Sequence, residues 1–150
     1  MKVLIADDDL LLAELLRHKL TQQGYEVLHV TDGQSAVDSA QQDRPDLIVL
    51  DIMMPNMNGI EALRHLGQFA ETRDIPVLML TARKKEQDVL EALQLGVEEY
   101  LVKPFSPDEL VARMRKILAA AQRSTPAEAE MPGTAQATGT GGPGDRYLAE

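Results

Sequence analysis

Five short apolar runs, each followed by apolar residues at helical spacing, constrain this chain more than anything else in it. The runs are Val3-Leu4-Ile5-Ala6, Tyr25 to Val30, Leu47-Ile48-Val49-Leu50, Val77-Leu78-Met79-Leu80-Thr81 and Tyr100-Leu101-Val102. Unbroken runs rich in branched side chains predict strands buried on both faces. Glu26 and His29 interrupt the second run, which predicts a place nearer a sheet edge. Between the runs stand the helical stripes: Leu12, Leu15, Leu16 and Leu20; Ala36, Val37 and Ala40; Ile60, Leu63 and Leu66; Val89, Leu90 and Leu93; and Leu110, Val111, Met114, Ile117 and Leu118. Gly24 and Gly96 read as helix stops, and Ser106-Pro107-Asp108-Glu109 as a capped helix start with the elements of a capping box. Strict strand-helix alternation implies an α/β fold with a parallel sheet covered on both faces. Five strands suit the doubly wound order 2-1-3-4-5, whose switch point lies between the first and third strands.

In such sheets ligands bind just outside the carboxyl ends of the strands. Here those ends carry Asp7-Asp8-Asp9, Asp51, Thr81 and Lys103. Each has an ordinary explanation when taken alone. Asp51 can cap a turn, the triple aspartate can sit at a helix N-terminus, Thr81 can be a turn hydroxyl, and Lys103 can be a solvated lysine. Their joint placement argues otherwise. Crowded carboxylates repel one another unless a cation joins them. Mg²⁺ suits the set, because it takes a few carboxylates, keeps water and completes its shell with phosphate oxygen. An ammonium and a hydroxyl beside a carboxylate nucleophile complete a phosphoryl-transfer site, with an acyl phosphate as the product.

Composition narrows the alternatives. The chain lacks cysteine, which removes disulfides, thiolate nucleophiles and Cys-ligated zinc. Its histidines, His18, His29 and His65, have no metal spacing, and His18 and His65 read as surface positions. A formal net charge of −9 argues against nucleic-acid binding through a basic surface of this segment. The opening residues turn acidic too soon for a signal peptide, and no apolar run approaches membrane-spanning length. The expectation is a cytoplasmic protein that uses no membrane. Toward the C-terminus the composition becomes rich in Gly, Pro and Thr, without Val, Ile or Phe from Ser124 onward. Such a segment cannot bury enough apolar surface to offset its ordering entropy. The expected organisation is a folded domain over 1–122 and a flexible linker or disordered tail over 123–150.

These features resemble the receiver domain of two-component response regulators, whose topology is flavodoxin-like. The resemblance runs from Lys2 to Gln122 and rests on Ala6-Asp7-Asp8-Asp9, Leu50-Asp51-Ile52-Met53-Met54-Pro55 with Gly59, Thr81-Ala82, and Tyr100-Leu101-Val102-Lys103-Pro104-Phe105. It implies that Asp51 accepts a phosphoryl group from the phosphohistidine of a histidine kinase or phosphotransfer protein. It implies further that Mg²⁺ is bound by Asp8 directly, by Asp7 largely through water, by Asp51 and by the Met53 backbone carbonyl. Thr81 and Lys103 would contact the phosphoryl oxygens, Lys103-Pro104 would be cis, and Thr81 and Tyr100 would form a switch pair. The family works as a phosphorylation-gated binding module rather than as a metabolic enzyme.

Other readings fit less well. A haloacid-dehalogenase-type phosphatase needs a second carboxylate two residues after its nucleophile, where this chain has Met53. A flavodoxin needs a phosphate-cradling first loop, where this chain has three aspartates. A P-loop NTPase needs Gly-x-x-x-x-Gly-Lys-Ser/Thr, which is absent. The remaining alternative is a receiver-like interaction scaffold that takes no phosphate. For the output surface, Glu98, Glu99 and Asp108 with Lys85, Arg113, Arg115 and Lys116 put both signs of charge around the fourth helix, fifth strand and fifth helix. Mixed signs suit a two-fold, phosphorylation-dependent homodimer, resembling that of regulators with winged-helix outputs. Val89 and Gln94 depart from the charges those relatives carry.

Overall fold

A computed structural model describes residues 1–82 and 91–123. The expectations for Lys85, Val89, Leu90 and the tail from Ser124 onward lie outside the described residues. The strands are β1 (Lys2–Ala6), β2 (Glu26–Val30), β3 (Leu47–Asp51), β4 (Val77–Thr81) and β5 (Glu99–Val102). The helices are α1 (Leu10–Gln22), α2 (Gly33–Asp43), α3 (Gly59–Gln68), helical residues 91–94, termed α4, and α5 (Pro107–Arg123). All the strands pair in parallel, in the order β2-β1-β3-β4-β5. The expected edge position of β2 and the switch point between β1 and β3 are both present.

Side chains alternate across a strand, so the register divides the sheet into two faces. Leu4, Ala6, Ile48, Leu50, Val77 and Met79 belong to one face and pack with Ala36, Val37 and Ala40 of α2, Ile60, Leu63 and Leu66 of α3, and Ala92. Val3, Ile5, Leu47, Val49, Leu78 and Leu80 alternate with them and are fully buried. The buried stripes of α1 (Ala13, Leu16, Leu20) and α5 (Leu110, Val111, Met114, Ile117) belong to that second layer.

The stripe on α1 is narrower than its leucine spacing suggests. Leu15 is 54% exposed, and Leu10 and Leu11 are more so. Ala13 takes the buried position instead, at three residues from Leu16. On α4, Leu93 is likewise exposed while Ala92 is buried. Leucine marks helical periodicity well, but a small residue fits where a helix lies close to a sheet.

Caps fix where helices begin, and so where the strand-end loops stop. Asp9 is the N-cap of α1 and accepts from the Leu12 N–H at 3.1 Å. Asn58 and Glu61 form a reciprocal capping box on α3. Ser106 accepts from the Glu109 N–H at 3.1 Å, as expected, but the Glu109 carboxylate lies 3.4 Å from Arg113.

Candidate functional site: an acidic cluster at the strand ends

Asp7 follows β1 immediately, and Asp51 is the last residue of β3. Both continue the strand alternation toward the layer of α1 and α5, Asp7 after Val3 and Ile5, and Asp51 after Leu47 and Val49. Asp7 is fully buried and Asp51 nearly so, whereas Asp8 is exposed. One carboxylate oxygen from each of Asp7, Asp8 and Asp51 lies within 4.8 Å of the others. Two oxygens on opposite sides of an octahedral Mg²⁺ are about 4.2 Å apart, twice the ordinary Mg–O distance. The cluster therefore gathers hard oxygen donors on roughly the scale of one small divalent cation's shell, open to solvent on the side of Asp8.

Lys103 joins the cluster from β5. Its Nζ lies 2.9 Å from Asp7 Oδ2 and 3.5 Å from Asp51 Oδ2. The Lys103 N–H donates to the Thr81 carbonyl at 2.7 Å, which holds the start of the β5-α5 loop against β4. The Lys103-Pro104 peptide is cis. Asp7 Oδ1 accepts from the Asp9 N–H at 2.9 Å. Both Asp7 oxygens are thus engaged, while the Asp8 carboxylate has no hydrogen-bond partner among the described residues.

Burial, and then the charge of Asp7, push the Asp51 carboxyl up to about 6, against the pull of Lys103 and of a hydrogen bond donated by the Met53 N–H. Burial works against the Lys103 ammonium, but its contacts with Asp7 and Asp51 outweigh that and hold its pKa above the ordinary lysine value. The cluster is a set of like charges short of cations.

Glycine brings Asp51 against α3. A Cβ at Gly59 would stand 2.2 Å from the Asp51 carbonyl oxygen and 2.8 Å from Ile52 Cα. The Gly59 N–H also donates to the Ile52 carbonyl at 2.8 Å. Gly33 is a second such point, since a Cβ there would stand 2.1 Å from the Met57 carbonyl oxygen. The role of Gly33 depends on a contact with a distant loop, which no local pattern announces.

Thr81 is the last residue of β4, and Tyr100 stands in β5. Thr81 is buried, and the half-buried Tyr100 packs against the core that holds Met79. Thr81 pairs with Val102 and Tyr100 with Met79, so the two residues are diagonal neighbours on one face rather than directly opposite. The Met53 side chain is 62% exposed.

Asp7, Asp51 and Lys103 form the ion-paired group, with the Asp8 carboxylate beside it; Thr81 ends the neighbouring strand, and Asp9 serves as a cap. Sequence reasoning missed His29, whose ring meets the Asp7 carbonyl. On the surface expected to self-associate, Arg113 pairs with Glu99 and Glu109 of its own chain. Asp108 pairs with Lys19 of α1 at 2.6 Å.

Comparison with known proteins decides the family. The model for "Response regulator receiver domain" matches residues 3–115. The chain belongs to the response regulator receiver domain family. It is 41% identical to the alkaline phosphatase synthesis transcriptional regulatory protein PhoP of Bacillus subtilis, over 83% of this chain and 51% of that protein. It is also 41% identical to the phosphate regulon transcriptional regulatory protein PhoB of Escherichia coli, over 78% of this chain and 51% of that protein. This receiver chain therefore spans about half the length of those relatives. Among solved structures, the chemotaxis protein CheY4 of Vibrio cholerae matches with a TM-score of 0.73 and 34% identity, covering 77% of this chain and 97% of that one. The receiver domain of the sensor histidine kinase PA1611 of Pseudomonas aeruginosa, solved with a magnesium ion in its active-site cleft, matches with a TM-score of 0.73 and 31% identity, covering 79% and 97%. No helix among the described residues is long and apolar enough to cross a membrane.

Proposed function

We propose that this receiver domain is a phosphorylation-activated switch in which Asp51 accepts a phosphoryl group from the phosphohistidine of a histidine kinase or phosphotransfer protein. The observation that carries the reading is the buried Asp51 carboxylate, grouped within 4.8 Å of Asp7 and Asp8 and 3.5 Å from the Lys103 ammonium. An Asp51 oxygen attacks phosphorus, the donor's N–P bond breaks, and the imidazole nitrogen leaves with the bonding pair. The product is an acyl phosphate on Asp51. Lys103 and Thr81 meet the transferred oxygens, the first as a charge and the second as a hydroxyl donor.

Asp8, Asp7, Asp51 and the Met53 carbonyl would hold Mg²⁺, the ion named for the Pseudomonas relative. When bound, it offsets the charge of the carboxylates and of the phosphoryl oxygens. Asp8 is proposed as the direct ligand and Asp7 as one acting largely through water. The engaged oxygens of Asp7 and the free carboxylate of Asp8 support that division. Asp8→Ala should weaken Mg²⁺ binding more than Asp7→Ala in calorimetric titration, and equal affinities would reject the ordering.

Thr81 and Tyr100 are proposed as the switch pair, Thr81 moving toward the phosphoryl group and the Tyr100 ring following along their shared face. The readout surface is α4, β5 and α5, through a phosphorylation-dependent homodimer. Arg113 would then exchange its own Glu99 and Glu109 for acids of the second copy. Sedimentation with and without beryllofluoride checks this: a mass increase is expected, and it should be smaller for Arg113→Glu. Residues 123–150 are proposed as a flexible linker or disordered tail, and the transcriptional regulation named for PhoP and PhoB as the class of output. In this reading the protein works in the cytoplasm as a switch and has no metabolic substrate.

A further inference from the structure

We propose that His29 is a positioning residue for the acidic site: its ring N–H holds the carbonyl of the peptide joining Asp7 to Asp8, and so sets the direction in which the Asp8 carboxylate leaves the backbone. The inference rests on the reading of Asp7 and Asp8 as cation-binding groups.

His29 stands in β2, opposite Ile5 of β1. Its Nε2 lies 2.9 Å from the Asp7 carbonyl oxygen. A carbonyl only accepts, so this ring nitrogen carries the proton. One residue further along β2, the Val30 carbonyl accepts from the Asp7 N–H at 3.1 Å. The edge strand thus grips the Asp7 backbone at both of its polar groups just after β1 has ended. A peptide unit is planar, so fixing its carbonyl oxygen fixes the plane that runs to the Asp8 Cα.

The two aspartates depend on this grip unequally. The Asp7 carboxylate is held independently by the Asp9 N–H and by Lys103. The Asp8 carboxylate has no hydrogen-bond partner among the described residues, so its direction comes from the backbone alone. Loss of the His29 contact therefore falls on Asp8. An edge strand needs no histidine for its own sake, since a branched aliphatic residue would fill the same half-buried position. Groups that orient metal ligands without touching the metal commonly set a site's affinity.

The test is calorimetric titration of the full chain with Mg²⁺ alone, for the wild type, His29→Leu and His29→Gln. Leucine removes the donor, and the glutamine amide restores an N–H at similar reach. His29→Leu should weaken Mg²⁺ affinity about tenfold, the lower end for such outer partners, and His29→Gln should recover most of it. Urea midpoints without metal establish that both variants fold. Equal affinity of the wild type and His29→Leu overturns the proposal, as does an equal loss in both variants, which would mark a packing role. A wild type that binds no Mg²⁺ removes the reading of the acidic site itself. Should His29→Leu fail to fold, ¹⁵N resonances of the wild-type ring decide: a proton on Nε2 protected from exchange is expected, and an Nδ1-protonated tautomer overturns the proposal.

Discussion

Two lysine-aspartate pairs of similar length stand in this molecule. Lys103 lies 2.9 Å from Asp7, and Lys19 lies 2.6 Å from Asp108. The Asp7 side chain is fully buried, whereas that of Asp108 is 83% exposed. The shorter pair is the less consequential one. At the surface, water and salt screen the charges, and the pair shifts only its own titration, lowering the Asp108 pKa through Lys19. At the strand ends the Asp7 carboxylate has lost its water and has Asp8 and Asp51 for neighbours, so Lys103 compensates a crowded buried charge. Burial and like-charge crowding, not contact distance, separate a site from an ordinary ion pair.

Removing each lysine in turn tests that contrast. Lys103→Met should destabilise the metal-free protein by about 3 kcal/mol, as expected when one partner of a buried pair is lost. Lys19→Met should leave the urea midpoint where it is. Equal midpoint shifts would break the comparison. Gly59→Ala probes the same region through its backbone, because the new Cβ would meet the Asp51 carbonyl. A cost of about 2 kcal/mol is expected, together with slower phosphorylation, because Asp51 must move; a thermal melt and a phosphorylation time course check the two.

Mg²⁺ sharpens the contrast from the other side. At a hundredfold excess over its dissociation constant, Mg²⁺ should stabilise the wild type by about 2.7 kcal/mol. The gain should be larger in Lys103→Met, where the cation replaces the missing charge. Lys19→Met should gain no more than the wild type. Thermal melts across a Mg²⁺ series give all three values. A small effect is expected at the surface as well: Arg113→Ala removes partly exposed pairs with Glu99 and Glu109 and should cost about 0.5 kcal/mol.

The strands, their order and the gathering of Asp7, Asp51 and Lys103 were legible because each depends on a short pattern: an apolar run, its alternation and its last residue. The helix stripes were legible less exactly. Leu15 is solvent-facing although its spacing is right, because spacing defines an arc and the neighbouring sheet decides which part of it is covered. Partnership was the least legible. Asp108 and Arg113 were read for the charge they offer a second copy, and their pairs with Lys19 and Glu99 within the chain were not foreseen. His29 looked like an interruption in a strand, and its contact with Asp7 depends on the register of β1 against β2. Gly33 meets Met57 across the fold in the same way. Contacts between residues far apart in sequence leave no periodic trace.

The central claim is that Asp51 is the phosphoryl acceptor. The most direct measurement is intact-protein and peptide mass spectrometry after incubation with a small acyl phosphate and Mg²⁺, on the wild type and Asp51→Asn. The account predicts one added acid-labile phosphoryl group in the wild type, mapped to Asp51 and dependent on Mg²⁺, and none in the variant, because an amide cannot replace the nucleophilic carboxylate. Undiminished labelling of Asp51→Asn, or a label mapped to another residue in the wild type, would contradict it.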